Sequence, residues 1–235
     1  MNYFQHMKSY NLSYENSFEP NLTTAMLYEA AKIKIDALLK QKQTIDVLEL
    51  GCGCGVISLI LKNEYKDKIN VSLSDLETNS IKDAKENFSK YKIIGNIKAC
   101  SLFDGWTGKY DVIINDISGI SEPIAKLSPW FTKSSCATGE AGTDLLDLFF
   151  KDVAPYTKNH TVLLFPLLSF SKWESSLNII KKNFILNEFK VTHWPIPNNI
   201  DIDKLTQTCK HLGISLEKKF DNFIAWTKVY DASIK

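Results

Sequence analysis

The glycine-dense turn within residues 44–61, TIDVLELGCGCGVISLIL, constrains the fold of this chain more than any other feature. An apolar strand is predicted from Ile45 to Leu50, followed by a turn with glycine at positions 51, 53 and 55 and an apolar helix from Val56. Alternate glycines indicate that the backbone passes close to another group with no Cβ between them. The N-terminus of the following helix offers unpaired N–H groups, so the unit is typical of a site for a polar ligand.

The segments that follow this unit alternate between strand-like and helix-like patterns. Six further strands are predicted at Ile69–Ser74, Ile97–Cys100, Asp111–Asn115, Thr161–Phe165, Phe184–Val191 and Phe220–Val229. One helix is predicted to open after Pro20, and others at Val56–Leu61, Glu77–Asn87, Asp144–Val153, Ser171–Asn183 and Asp201–His211. The alternation predicts an α/β fold with a Rossmann-like, doubly wound, seven-stranded sheet, mostly parallel with an antiparallel last strand, and helices on both faces. Ligands of such a sheet bind at the C-terminal ends of its strands.

The charged residues give no general attraction to nucleic acid or to anionic membranes. The formal net charge is +1, and all 28 basic residues are lysine. Without arginine, the chain lacks the bidentate fork that commonly recognises phosphate, carboxylate or guanine.

The N-terminus and the cysteines predict a cytoplasmic protein. No segment approaches the roughly 20 apolar residues of a membrane span, and the polar N-terminus does not resemble a signal peptide. Five scattered cysteines are interpreted as reduced thiols, mostly buried. Cys52 and Cys54 are too close in sequence for an ordinary disulfide and have no partners at zinc-binding spacing, so no metal site is predicted.

Polar residues fall where successive predicted strands end. The glycine turn follows the first strand, Asp75 follows the second, and Asn115 with Asp116 ends the fourth. An acid after the second strand, beside a glycine turn, is placed to grip ribose hydroxyls. The glycine spacing is G-x-G-x-G rather than G-x-G-x-x-G, which makes a dinucleotide the weaker interpretation.

At these positions the sequence resembles a known family. VLELGCGCG, followed by SLSDLETNSIKDAKENF, resembles the first two motifs of class I S-adenosylmethionine-dependent methyltransferases. SFEPNLTTAML, SLFDGWTGKYDVIIN, GEAGTDLL and APYTKNHTVLLF make it most similar to the branch of release-factor glutamine N-methyltransferases and methyltransferase small-domain proteins. The resemblance covers about residues 18–168.

The resemblance implies S-adenosyl-L-methionine as cofactor, S-adenosyl-L-homocysteine as product, and a role for each matching residue. Glu49 and the turn residues Gly51, Cys52, Gly53 and Gly55 would hold the methionine part, Asp75 the ribose hydroxyls, and Leu76 would pack on the adenine. Ser101, at the position of an adenine-contacting Asp in the family, and Leu102 would complete that end. Phe18 and Thr23 would border the cofactor, and Asn115 would contact both cofactor and acceptor.

The sequence departs from this branch at its catalytic tetrapeptide. The branch carries N-P-P-Y, whereas this chain reads Asn115-Asp116-Ile117-Ser118, so the Asn is kept and the stacking aromatic is absent. Asn115 and Asp116 are predicted to be catalytic, with Asp116 as a general base. The alternatives are a turn former for Asn115, and a solvated loop carboxylate or a helix N-cap for Asp116. Ser118, Trp130 and Phe131 are candidates for acceptor binding, although Trp130 and Phe131 would equally serve to cover the core.

Three functions follow from the resemblance. The first is N- (or O-) methylation of a small molecule or of a peptide or amide group, which the near-neutral charge and absent arginine favour. The second is methylation of an rRNA or tRNA base, and the third is cofactor binding without catalysis. Membrane partners are not expected, and the sequence does not indicate an oligomeric state.

The domain prediction is a single domain in two parts. Residues 1–43 form an N-terminal flap and helix, and residues 44–235 form the methyltransferase domain with a C-terminal insertion near 194–219. The aromatic residues of the flap either pack as a lid on the core or close over a ligand pocket.

Overall fold

The computed structural model describes residues 2–131, 135–220 and 222–235, which form a mixed sheet covered by helices on both faces. The strands are β1 (Ile45–Leu50), β2 (Ile69–Asp75), β3 (Asn96–Ala99), β4 (Tyr110–Asn115), β5 (Thr157–Leu168), β6 (Phe184–Pro195), β7 (Glu217–Lys219) and β8 (Asn222–Ile234). Their order is β3-β2-β1-β4-β5-β8-β6, with β7 paired to β8. The first five strands pair in parallel, and β8 runs antiparallel between β5 and β6. The Rossmann-like prediction is confirmed, with the three-residue β7 as an addition.

Eight α-helices occur in the described residues: α1 (Tyr3–Lys8), α2 (Leu22–Leu38), α3 (Val56–Tyr65), α4 (Thr78–Lys90), α5 (Glu122–Ala125), α6 (Asp144–Asp152), α7 (Trp173–Asn183) and α8 (Ile202–Leu212). None of these helices has the length and apolar character that a bilayer crossing requires. α2 begins after Pro20, as predicted, because the Asn21 side chain accepts hydrogen bonds from the N–H groups of Thr23 and Thr24. α3 continues beyond the predicted end at Leu61, since Glu64 in its last turn hydrogen-bonds Tyr28 of α2.

Alternate residues of the central strands supply two separate cores. Val47 of β1 packs in the core shared with α1 to α4, whereas its neighbour Leu48 packs in the core shared with α6 and α7. A side-chain period of two therefore buries both faces of the sheet, which is why β1 and β4 read as nearly continuous apolar runs.

β5, β6 and β8 are several residues longer than predicted, and β2 and β4 are one residue longer. β5 continues through Pro166 to Leu168, where it pairs with β8. β4 does not pair with β5 beyond Leu164, so the N–H that Pro166 lacks leaves no hydrogen-bond acceptor of β4 without a partner. β6 was predicted to end at Val191, but Trp194 and Pro195 still pair with Ala225 and Ile224 of β8. The sequence predicts a chain break over residues 193–197; the edge strand in fact runs on to Pro195, and the break follows it.

A third apolar cluster forms a cap beyond the C-terminal edge of the sheet. It joins α5 to α8 and to the ends of β6 and β8 through Ile120, Ile124, Phe170, Ile196 and Leu205, among others. The cap contains the segment predicted to be an insertion near residues 194–219. It stands on the side where the parallel strands end.

Candidate functional site

A cleft of about 1250 Å³, including its open mouth, lies at the C-terminal ends of β1, β2 and β4. Its walls include Gly51, Cys52 and Gly53 from the turn, with Asp75 and Leu76 after β2. The predicted residues Phe18, Thr23, Ser101, Leu102, Asp116, Ser118 and Phe131 also line it. The structure therefore brings together most of the predicted site, because parallel strands end at one edge of the sheet.

The glycine turn is fixed between the ends of β2 and β4. Gly51 has φ +73°, and a Cβ on it would lie 2.8 Å from Ile117 Cγ1 and 2.9 Å from the Asp116 carbonyl oxygen. A Cβ on Gly53 would meet only the Phe18 carbonyl oxygen, at 3.9 Å. The turn is thus packed on its inner side and leaves free space above Gly53 for a ligand.

Glu49 lies buried behind the turn and caps α3. The N-cap residue Gly55 has no side chain, and Glu49 Oε2 accepts hydrogen bonds from the Ser58 N–H at 3.0 Å and from the Ser58 hydroxyl. Glu49 Oε1 is buried and has no hydrogen-bond partner in the described part of the chain. Burial raises the pKa of Glu49 to about 7. A cationic donor beside Oε1 would satisfy the orphaned oxygen and favour the charged carboxylate.

Asp75 links the turn to the start of α4. Its Oδ2 accepts a hydrogen bond from the Gly53 N–H at 2.8 Å, and its Oδ1 accepts one from the Glu77 N–H at 2.9 Å. The carboxylate therefore holds the loop, and each oxygen keeps a further lone pair for a ligand hydroxyl. Burial raises the pKa of Asp75 in spite of these two bonds. Leu76, 57% exposed, projects beside it at the cleft wall.

Asp116 adds a third carboxyl group to this region. Burial raises its pKa well above the usual range, and the negative charges of Glu49 and Asp75 act in the same direction. A hydrogen bond with the Thr24 side chain opposes the rise. No Lys, Arg or His is among the described residues that line the cleft. Such surroundings favour a ligand with positive charge and disfavour a pyrophosphate.

Asn115 faces a smaller neighbouring cavity rather than the main cleft. It is buried, and its Oδ1 accepts a hydrogen bond from the Ile117 N–H at 3.1 Å. That cavity also contacts Thr143 and Ser171, and it shares Ser118 with the main cleft. The two predicted catalytic residues thus lie on adjoining cavities at the end of β4.

Trp130 and Phe131 have different surroundings. Trp130 does not line the cleft but packs against Phe170 and Trp194, with ring centroids 6.0 and 5.5 Å away. Phe131 lines the cleft, and its ring lies 5.5 Å from that of Phe18. Both residues were candidates either for acceptor binding or for covering the core. The surroundings of Trp130 agree with covering the core, and those of Phe131 agree with a position in the pocket wall.

Sequence reasoning missed several residues of the cleft. Thr24 was not separated from its neighbour Thr23, although two threonines at a helix N-terminus are a usable signal. Pro166 and Leu168 line the cleft only because β5 extends beyond its predicted end, and the sequence carries no local signal for that extension.

Comparisons with known proteins agree with the resemblance stated from the sequence. Residues 24–116 match the family model described as "Methyltransferase small domain". The Ribosomal RNA small subunit methyltransferase C of Haemophilus influenzae is 28% identical over 122 residues, 47% of this chain and 36% of that protein. The Ribosomal protein L11 methyltransferase of Thermosipho africanus is 28% identical over 139 residues, 58% of this chain and 50% of that protein. The chain thus spans between about a third and a half of the length of these curated relatives.

A solved structure shares the fold. The ribosomal protein L11 methylase of Lactobacillus delbrueckii subsp. bulgaricus superimposes with a TM-score of 0.53 at 14% identity, covering 92% of this chain and 82% of the other. At this identity the likeness concerns the arrangement of strands and helices.

Proposed function

We propose that this chain methylates a nitrogen of a protein. It is a class I S-adenosylmethionine-dependent methyltransferase, and its residues 24–116 match the methyltransferase small-domain family. The observation that carries the proposal is a group of neighbouring acids: Asp75 and Asp116 line a cleft whose described lining has no basic side chain, and Glu49 lies buried behind its turn. When bound, S-adenosylmethionine supplies an electrophilic methyl group, bears a net positive charge and leaves as S-adenosylhomocysteine. A cationic cofactor suits this cleft because it offsets the carboxylates that burial otherwise keeps protonated.

Each residue of the cofactor end has a part that follows from its position. Asp75 would accept hydrogen bonds from the ribose hydroxyls with the lone pairs left by Gly53 and Glu77. Glu49, with its unpartnered Oε1, would hold the cationic methionine end from behind the turn, and the space above Gly53 would admit that end. Leu76 offers an apolar surface to the adenine, with Ser101 and Leu102 beside it.

Asp116 and Asn115 serve the acceptor. A protonated amino group must lose a proton before its nitrogen has a lone pair for attack. The N–CH3 bond would then form as the S–CH3 bond breaks, with the electron pair of the broken bond going to sulfur. Asp116, which lines the cleft after β4, would take that proton. With a cationic cofactor bound nearby, Asp116 would more readily be deprotonated and could then act as the base. Asn115 orients the acceptor from the adjoining cavity, and Ser118 lies between the two.

A protein acceptor has more support than the small molecule that the charge of the sequence also allowed. The relatives are named for a ribosomal protein and for ribosomal RNA, both macromolecules. Carboxylates attract an amino group and repel a phosphate chain, and arginine is absent. An rRNA base is the second candidate, supported by the relatives named for ribosomal RNA.

Titration calorimetry with S-adenosylmethionine tests the cofactor. We expect binding by the wild type, a loss of affinity of at least about a hundredfold in Asp75→Ala, and no change in Asp104→Ala. Asp104 is an exposed acid that does not line the cleft. No binding by the wild type, or equal binding by Asp75→Ala, contradicts the proposal.

Transfer of a radiolabelled methyl group tests the acceptor. A cell extract is incubated with the protein and labelled cofactor and then separated into small molecules, protein and RNA. We expect label in the protein fraction and, for Asn115→Ala, a turnover at least about tenfold lower with little change in cofactor KM. Label in RNA alone would select the second candidate, and full turnover by Asn115→Ala would exclude a catalytic role for that residue.

A further inference from the structure

One face of α4 holds the segment that leads into the cleft. Residues 9–20, which we term the strap, connect α1 to α2, and Phe18 and Pro20 at its end line the cleft. Asp83 and Asn87 of α4, and Tyr91 that caps its C-terminus, all hydrogen-bond to the strap. Their spacing of four residues puts Asp83 and Asn87 on one side of the helix, with Tyr91 following them. Two turns of α4 and its C-terminal cap therefore bind the strap.

Asp83 makes the densest of these contacts. Its Oδ2 accepts hydrogen bonds from the Asn16 N–H and the Ser17 hydroxyl, both at 2.9 Å, and its Oδ1 accepts one from Asn16 Nδ2 at 2.9 Å. The side chain is 1% exposed and makes no ion pair in the described part of the chain. All three bonds come from the two residues that directly precede Phe18.

Asn87 joins the strap to the glycine turn. Its Oδ1 accepts a hydrogen bond from the Ser13 N–H at 2.8 Å, while its Nδ2 donates to the carbonyl oxygens of Ser13 and Cys54 at 2.8 and 3.0 Å. α4 thus holds two walls of the cleft in a fixed relation. On the cleft side, the Phe18 carbonyl oxygen lies over Gly53.

A buried carboxylate costs free energy that an apolar side chain of similar size would not. The three hydrogen bonds that Asp83 accepts explain why a carboxylate is buried here better than a gain in stability does. A carboxylate can bind three donors at once, and an apolar residue can bind none. The donors lie 66 and 67 residues away in sequence, on the segment that carries the cleft wall.

We propose that Asp83 is a positioning residue that, together with Asn87, holds the strap so that Phe18 forms the wall of the cofactor end of the cleft. The inference rests on the proposed function in taking the ligand to be S-adenosylmethionine. Asp83 itself does not line the cleft. Its effect reaches the ligand through Phe18, whose ring packs against that of Phe131 in the cleft lining.

The first test measures cofactor affinity and turnover in matched variants. We expect Asp83→Ala to raise the Kd and KM for S-adenosylmethionine at least tenfold, with kcat at saturating cofactor within threefold of the wild type. Glu86→Ala, an exposed acid of the same helix, should leave all three unchanged. An unchanged Kd in a folded Asp83→Ala protein overturns the proposal. So does an equal loss in Glu86→Ala.

A double-mutant cycle separates positioning from general damage to the fold. If Asp83 acts through Phe18, the Kd of the Asp83→Ala, Phe18→Ala double variant should lie within about threefold of that of Phe18→Ala alone. Multiplied losses would overturn the proposal. Should Asp83→Ala not fold, Ser17→Ala removes one donor from the strap side and should weaken cofactor binding about threefold, with no change as the contrary result.

Hydrogen exchange without cofactor distinguishes failure of this inference from failure of the proposed function. The amides of Ser13 and Asn16, bound by Asn87 and Asp83, should be protected in the wild type, and the Asn16 amide should exchange at least tenfold faster in Asp83→Ala. If the Asn16 amide stays protected in Asp83→Ala, Asp83 does not hold the strap, whatever the ligand is. A clamp shown by exchange in a protein that binds no S-adenosylmethionine instead refutes the proposed function.

Discussion

Substitution of Gly51 by alanine provides a sharp test of how the turn is built. Gly51 has φ +73°, and a Cβ there would lie 2.8 Å from Ile117 Cγ1 and 2.9 Å from the Asp116 carbonyl oxygen. The Ile117 side chain can rotate away, but the carbonyl oxygen belongs to the chain leaving β4. That chain would have to move by about 0.5 Å to restore an ordinary contact of 3.4 Å.

The expected loss of stability has two parts. A left-handed backbone conformation costs alanine about 1–2 kcal/mol relative to glycine. Forced overlap in a packed region costs about 1–3 kcal/mol more, which gives a total of about 2–5 kcal/mol. Typical domains unfold with about 5–15 kcal/mol, so the variant should still fold but with a clearly lower midpoint.

Gly105→Ala is the matched control, because Gly105 has φ +71° and a Cβ there would meet no atom within 4 Å. It carries the conformational cost alone, and effects of alanine on the unfolded chain cancel between the two variants. Urea unfolding followed by circular dichroism should show Gly51→Ala less stable than Gly105→Ala by about 1–3 kcal/mol. Cofactor affinity should fall only in Gly51→Ala, since that change displaces Asp116. Equal destabilisation by the two substitutions would refute the reasoning.

Two further predictions concern pH. Because burial raises the pKa of Glu49 to about 7, the folded protein retains a proton that the unfolded chain releases near pH 4.5, so the unfolding free energy should fall by about 3 kcal/mol between those pH values. Glu49→Gln should lack that component in urea titrations at pH 5 and 8, and a pH dependence identical to that of the wild type would contradict it. Asp111 lies at the opposite edge of the sheet and is also buried, and burial by itself raises its pKa. Four hydrogen bonds outweigh this effect and hold the pKa of Asp111 well below the usual range; they come from the Asp46 N–H, Lys158, Lys42 and His160. The stabilisation by Asp111 is present above about pH 4 and is lost as the pH falls further. Because Lys42, Lys158 and His160 keep contact with solvent, Asp111→Ala should cost about 1–3 kcal/mol at pH 7 and less in acid, with cofactor affinity unchanged. A loss of cofactor binding in that variant would show that the two edges are coupled.

The residues of the glycine turn were predictable because their signals are local. An apolar run, alternate glycines and a second apolar run define strand, turn and helix within 18 residues. Asp75 and Asp116 could be added from topology alone, since parallel strands bring their C-terminal ends together. The orientation of Asn115 could not be predicted, because its side chain can hydrogen-bond either to a ligand or to the Ile117 N–H two residues away.

Segment lengths were less predictable at the antiparallel end of the sheet. β6 and β8 extend as far as they do because each supplies hydrogen-bond partners to the other, so Trp194 and Pro195 stay in the strand despite their local preference to end it. Tertiary pairing overrides local propensity where a long partner strand is available.

By itself, the sequence determined the chemistry that this protein can hold: a strand–turn–helix that admits a close ligand, and acids at neighbouring strand ends. Only the tertiary structure decided how that chemistry is arranged, including the orphaned oxygen of Glu49, the turn of Asn115 away from the cleft and the clamp of Asp83 on the strap. The physical reason is range. Turns and apolar periodicity depend on residues that are adjacent in sequence. Burial and the pairing of polar groups depend on segments that meet only after folding.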